Sequence, residues 1–218
     1  LKAQIVPITV ALEGAVLSRA TTSVRVIAGA PARADVVTPK QSLSADEARE
    51  LSVRVTAFDE GGNPVPFGAA RVDVDVGRID RVSGGEASKQ VAWVLPAKLP
   101  ASTEKKTATL RVRSADGVVL GEARVLLLPG KPAKLSMSPF AEITADGSAA
   151  AKVVVTAEDG AGNAVVPQGA ALFAASGRFV AANVDAGNRV YRALYVPEPS
   201  DEEGVVDVEA RLGPLTAS

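Results

Sequence analysis

Apolar and polar residues alternate one by one along much of this chain. Leu51, Val53, Val55 and Ala57 share one side of a pleat, with Ser52, Arg54 and Thr56 on the other. Val72, Val74 and Val76 alternate with Arg71, Asp73 and Asp75, and Leu110 and Val112 alternate with Arg111 and Arg113. Val91, Trp93 and Leu95 form a further set. A period of two predicts antiparallel strands with one face buried. No stretch of a dozen residues carries a helical stripe. The nearest approach is Ser44 to Ser52 (SADEARELS), where a short helical turn is expected to lead into the strand.

The pattern repeats about every 100 residues. VRVTAFDEGGNPV (Val53 to Val65) is matched by VVVTAEDGAGNAV (Val153 to Val165) without a gap. Gly29-Ala30-Pro31-Ala32 corresponds to Gly130-Lys131-Pro132-Ala133, and Ala45-Asp46 to Ala145-Asp146. Val76-Gly77-Arg78 corresponds to Ser176-Gly177-Arg178, whereas Pro66 and Pro167 fall one residue out of step, as a local loop adjustment would leave them. About seven short strands per repeat, separated by turns such as Gly61-Gly62-Asn63-Pro64, predict an all-β chain of tandem immunoglobulin-like sandwiches with Greek-key wiring.

The first residues read as a partial copy. Ile5 to Leu12, Gly14 and then Ala20 to Ile27 parallel Thr109 to Leu128. The expected organisation is therefore residues 1–28 as the last strands of a preceding repeat, 29–129 as a complete domain, and 130–218 as a second domain lacking its final strand. The junctions are short and carry proline, which fixes φ and limits bending.

Composition narrows the chemistry. The chain of 218 residues is 47% hydrophobic but only 4% aromatic, so Val, Ala, Leu and Ile must build the cores. A net charge of −1 gives no pull towards nucleic acid. No apolar run reaches the roughly 20 residues that span a bilayer. With neither cysteine nor histidine, disulfides, ordinary zinc sites and the commonest catalytic triads are excluded. No catalytic, cofactor-binding or metal-binding residue is assigned, and no cofactor is expected.

Four features invite chemistry. Asp59 and Asn63, repeated as Asp159 and Asn163, could join Asp46 or Asp146 around calcium, but two carboxylates per repeat fall short of its six to eight oxygens. Side-chain bonds to the turn backbone explain the motif better. Asp73 and Asp75 project from one strand face as a glycosidase pair would, yet the next repeat has Phe173 and Ala175 there. Trp93 is expected in the core, and of Tyr191 and Tyr195 one is expected at the surface. The loop Thr103 to Lys106 (TEKK) opposes Asp201 to Gly204 (DEEG) in charge, which in exposed loops carries little energy.

The recurring Ala-Asp opening, the alternating Val/Ala strand and the Asp-x-x-Gly-Asn-x-Val turn resemble the bacterial immunoglobulin-like repeats of invasin and intimin type adhesins. The second copy carries Ala145, Asp146, Gly147, Val153 to Ala157, Asp159, Gly162, Asn163 and Val165. The first carries Ala45, Asp46, Val53 to Ala57, Asp59, Gly62, Asn63 and Val65, with Glu47 where the family favours glycine. The resemblance implies a non-catalytic structural spacer in a bacterial surface or secreted protein, extracellular or periplasmic. Its partners would be neighbouring repeats of the same chain. The alternative is an adhesion or assembly module that binds a host or envelope protein or a glycan, by strand complementation at an open sheet edge in one version. A third role, as an accessory module attached to a catalytic domain, leaves this chain itself without catalysis.

Overall fold

The computed structural model describes residues 4–11, 19–100, 106–138 and 142–218. The expected loop Thr103-Glu104-Lys105 lies outside them. Among the described residues there is no α-helix, hence none long and apolar enough to cross a membrane. The chain is an all-β, immunoglobulin-like sandwich protein. It divides into two compact units. One takes in Leu43 and what precedes it, Ala48–Pro96, and the stretch ending at Leu126; the other takes in Ser44–Glu47, the segment opening at Ala97, and Leu127–Ser218.

Among the described residues the first strands, β1 (Gln4–Ala11) and β2 (Arg19–Val26), pair only with each other, as an antiparallel two-stranded sheet. The sandwich of the first unit follows. One sheet has the order β3-β5-β8-β7, from Arg33–Val37, Glu50–Phe58, Ser88–Val94 and Arg78–Gly84. The other has the order β4-β10-β9-β6, from Ser42–Ser44, Val119–Leu128, Thr107–Arg113 and Arg71–Val74. The chain changes sheet between β5 and β6, between β6 and β7, and again between β8 and β9, which is the Greek-key path of immunoglobulin-like sandwiches. It also changes sheet between β3 and β4, around Pro39, whose lack of an N–H cannot serve a continuous ladder.

Alternation translates directly into burial. Leu51, Val53, Val55 and Ala57 of β5 face Val91 and Trp93 of β8 within one sheet, and Ala108, Leu110, Val112 and Val125 cover them from the other; all are buried. Each fully buried valine or leucine contributes about 1.5–3 kcal/mol relative to exposure.

The second unit repeats the plan. Its first sheet runs β11-β12-β16-β15, from Pro132–Met137, Ala151–Asp159, Val190–Val196 and Arg178–Asp185, with β13 (Ala164–Val165) hooked onto β12. Its second runs β14-β17-β18, from Ala171–Ala174, Val208–Leu212 and Leu215–Ala217. Leu135, Val153, Val155, Ala157, Tyr195 and Ala210 make the core.

Before β5 the chain makes a short turn, in which Glu47 N–H donates to Ser44 C=O at 3.1 Å, and the strand starts three residues later at Glu50. Two local expectations need correction. Neither tyrosine is exposed, because Tyr195 is buried and Tyr191 packs half-buried against the same core. There is also no loop slip at the prolines. The buried position after each turn is Phe67 in one unit and Pro167 in the other, in step with the repeat, and each carbonyl accepts the N–H three residues on, from Ala70 and Ala170.

Candidate functional site

Among the described residues the Asp-x-x-Gly-Asn turns are densely bonded polar sites. In the first, Asp59 N–H donates to Asn63 C=O and Gly62 N–H to Asp59 C=O, both at 3.0 Å. Gly62 sits at φ 79°, in the left-handed region that glycine enters without a Cβ penalty. The side chain then does more than brace the turn. Asp59 Oδ1 accepts Asn63 N–H at 2.8 Å, and Oδ2 accepts Asn63 Nδ2 at 2.8 Å and Gly29 N–H at 2.9 Å. The donors from Asn63, Gly29 and Gly61 hold the Asp59 carboxyl at about 2, well below its ordinary value, against the opposing pull of burial.

The second turn is built alike. Asp159 Oδ1 accepts Ala161 and Asn163 N–H at 2.9 and 2.8 Å, and Oδ2 accepts Asn163 Nδ2 at 2.8 Å and Gly130 N–H at 2.7 Å. Burial pushes this carboxyl up, but the donors from Gly130, Asn163 and Ala161 outweigh it and hold it below its ordinary range. The next N–H along, from Lys131, goes to Asp46 Oδ2 at 2.5 Å. Asn163 also grips the segment opening at Ala97: its Nδ2 donates to Ala97 C=O at 2.8 Å and its Oδ1 accepts Leu99 N–H at 2.7 Å. Lys98 Nζ adds a bond to Gly162 C=O.

These contacts favour a turn clamp over a cation. Both oxygens of Asp59 and of Asp159 already receive N–H donors, whose positive ends occupy the directions a calcium ion would need. Asp46 and Asp146 do not join them. Asp46 holds Lys131, and Asp146 Oδ1 accepts Ser148 and Ala149 N–H and Ser148 Oγ–H. The donors from Ala149 and Ser148 lower the Asp146 carboxyl in turn. Among the described residues no group of three or more carboxylates is arranged to hold a metal.

The other candidates separate. Asp73 pairs with Arg113 at 3.2 Å in solvent, whereas Asp75 Oδ1 accepts Thr109 N–H at 2.6 Å. The two carboxylates thus face different partners, one an ion pair and one a strand backbone. Trp93 is fully buried, and its indole N–H donates to Val76 C=O at 2.9 Å. Tyr195 performs the same task in the second unit, its hydroxyl donating to Ser176 C=O at 3.1 Å. The two are equivalent in register, since Leu51 pairs with Trp93 and Ala151 with Tyr195. Asp201 to Gly204 are exposed, and Thr103 to Lys105 lie outside the described residues.

No protein-family model matches this sequence, and no curated protein matches it. Solved structures do. The chain is similar over 99% of its length to invasin, a bacterial integrin-binding protein, with a TM-score of 0.66 and 15% identity. It is similar over 85% of its length to InvD of Yersinia pseudotuberculosis, with a TM-score of 0.60 and 18% identity. The match spans 44% of the invasin chain and 54% of the InvD chain. The chain therefore shares its immunoglobulin-like β-sandwich fold with these proteins.

Proposed function

We propose that this chain is a non-catalytic spacer: tandem immunoglobulin-like domains, bounded near residues 28 and 129, in a bacterial surface or secreted protein. The observation that carries the reading is the fixing of the junction backbone. Gly29, Gly130 and Lys131 give their N–H groups to Asp59, Asp159 and Asp46, so the peptides most able to swivel are held by charge-assisted bonds. Such bonds are roughly twice as strong as neutral ones. Cores built largely of Val, Ala and Leu, with no cluster of metal-ligating side chains among the described residues, fit a mechanical role. Each unit carries its own stability, as in other repeat arrays.

The test is solution NMR of the dilute full chain. The amide hydrogens of Gly29, Gly130 and Lys131 should exchange slowly with solvent, and Asp159→Ala should speed exchange at Gly130. Fast exchange at all three in the unaltered protein would overturn the spacer reading.

An adhesive role has one observation in its favour. On the outer face of the second unit Val180 lies opposite Leu194, 36% and 37% exposed, where the first unit pairs Arg81 with Ala92. A protein or glycan partner would be sought there first. Binding lost on Leu194→Lys would establish that role.

A further inference from the structure

One side of the first sandwich carries a cleft. There β6 and β7 end their two sheets, and Phe67, Val72 and Val82 form an apolar floor with Arg71, Lys89 and Glu86 around it. Its volume of about 640 Å³ falls within the roughly 300–1,000 Å³ usual for binding sites. Phe67 N–H donates to Glu86 C=O at 3.0 Å. That bond ties the loop after β5 to the β7–β8 hairpin, so the two walls are fixed to each other.

Lys89 sits where a sandwich normally places an apolar residue. It pairs with buried Val55 and follows the same pleat as Val91 and Trp93, so its side chain leaves from the inner face. In the second unit that position is Tyr191, opposite Val155, and Tyr191 packs against the core. Beside Lys89 stands Gly84, where Val184 pairs with Tyr191. Arg71 and Val72 likewise stand where the second unit has Ala171 and Leu172. Both cations of the cleft thus belong to the first unit alone. Among the described residues neither forms an ion pair, so a carboxylate entering the cleft gains charge-assisted bonds without breaking any.

We propose that this cleft binds an extended acidic segment of another protein. One carboxylate of the segment meets Lys89 and Arg71, and a neighbouring aliphatic side chain covers Phe67, Val72 and Val82. Glu86 repels a second acid. A peptide suits the cleft better than a small molecule, because Val82 is 49% exposed and Arg71 and Glu86 are exposed too. Only one side of an occupant is therefore covered, whereas small-molecule sites bury most of their ligand. As an edge strand, β7 also offers backbone groups to an extended segment. The site is independent of the spacer reading, whose test is amide exchange at the junctions.

An NMR titration of the full chain with the blocked peptide acetyl-Thr-Val-Asp-Val-Thr-amide tests this. Through the millimolar range, amide shifts should concentrate at Val72, Val82 and Lys89. The same peptide with asparagine for aspartate should bind about tenfold more weakly, as loss of a charge-assisted bond dictates. Lys89→Gln should weaken the aspartate peptide by a similar factor. Lys89→Tyr, which restores the second unit's residue, should abolish binding, and Arg54→Gln, on the outer face, should change nothing. Amide spectra unchanged away from the cleft will show that each variant folds. No shift at the cleft, equal binding of the two peptides, or binding retained in Lys89→Tyr would overturn the proposal. So would sodium hexanoate binding as tightly as the peptide, since the site would then belong to small amphiphilic acids.

Discussion

The carboxylate of Asp59 holds the backbone N–H of Gly29, 30 residues earlier, at 2.9 Å. Asp159 holds Gly130 in the same way at 2.7 Å. The turn motif is thus a clamp on the start of its own domain. Asp159→Ala strands the buried N–H of Asn163 and the part-buried N–H groups of Gly130 and Ala161, and unpaired buried donors are costly. Calorimetry should show the second unit melting lower by on the order of 5 °C, with the first unit unmoved.

Acid should release these clamps in a defined window. Asp59 titrates at about 2 in the folded protein against an ordinary 3.8, so the unfolded chain takes up its proton first as pH falls. The stabilisation is complete above pH 3.8 and disappears as pH drops to about 2. Asp159, Asp146 and Asp185 are lowered too and act in the same direction. Urea midpoints should hold level through neutral pH and fall below about 4. Carboxyl NMR of Asp59 should titrate near 2; a midpoint at the ordinary value would show that Gly29 and Asn63 do not bind it in solution.

The alternation of Leu51 to Ala57 and the turns at Gly62 and Gly162 made the strands and their faces legible from sequence. They are local patterns, set by one residue and its near neighbours. What stayed hidden depended on distant partners. Nothing in the Asp59 turn announces that Gly29 is its ligand, because that bond exists only once β3 lies beside β5. The equivalence of Trp93 and Tyr195 was obscured because the hairpin between paired Val184 and Tyr191 is two residues longer than that between paired Gly84 and Lys89. The repeat offset shifts there, so an exact 100-residue register sets Ala193 and not Tyr195 against Trp93. A scan for a buried aromatic two residues beyond the exact repeat would have found Tyr195.

Trp93 offers a private reporter. It is the single tryptophan, fully buried in the first unit, so its blue-shifted emission follows that unit alone. Trp93→Ala opens a large cavity and should cost about 3–5 kcal/mol. Trp93→Phe should cost less, through the orphaned Val76 carbonyl. Tyr195→Phe removes the matching bond to Ser176 and should cost about 1 kcal/mol in the second unit, leaving the tryptophan signal unchanged.

Calcium should do nothing measurable. A cation at Asp59 or Asp159 would have to displace N–H donors that already satisfy both oxygens. Melting curves in millimolar calcium and in excess chelator should therefore superimpose. A rise in either melting temperature with calcium would reinstate the metal reading of the motif.

Two glycines with the same backbone conformation should respond differently to alanine. Gly77 and Gly117 both sit at φ 83°, where a side chain costs roughly 1–2 kcal/mol. At Gly117 a Cβ would meet nothing within 4 Å, so that strain is the whole cost. At Gly77 it would run into the Val94 carbonyl, with Val94 C at 3.2 Å and Leu95 Cα at 3.3 Å. Those atoms are strand backbone next to Trp93, and they cannot move without disturbing the indole bond to Val76. Gly77→Ala should thus destabilise the first unit well beyond Gly117→Ala and shift the tryptophan emission to the red. Equal losses for the two variants would mean that the turn between β6 and β7 yields freely, and that the Trp93–Val76 contact does not depend on its close approach to Val94.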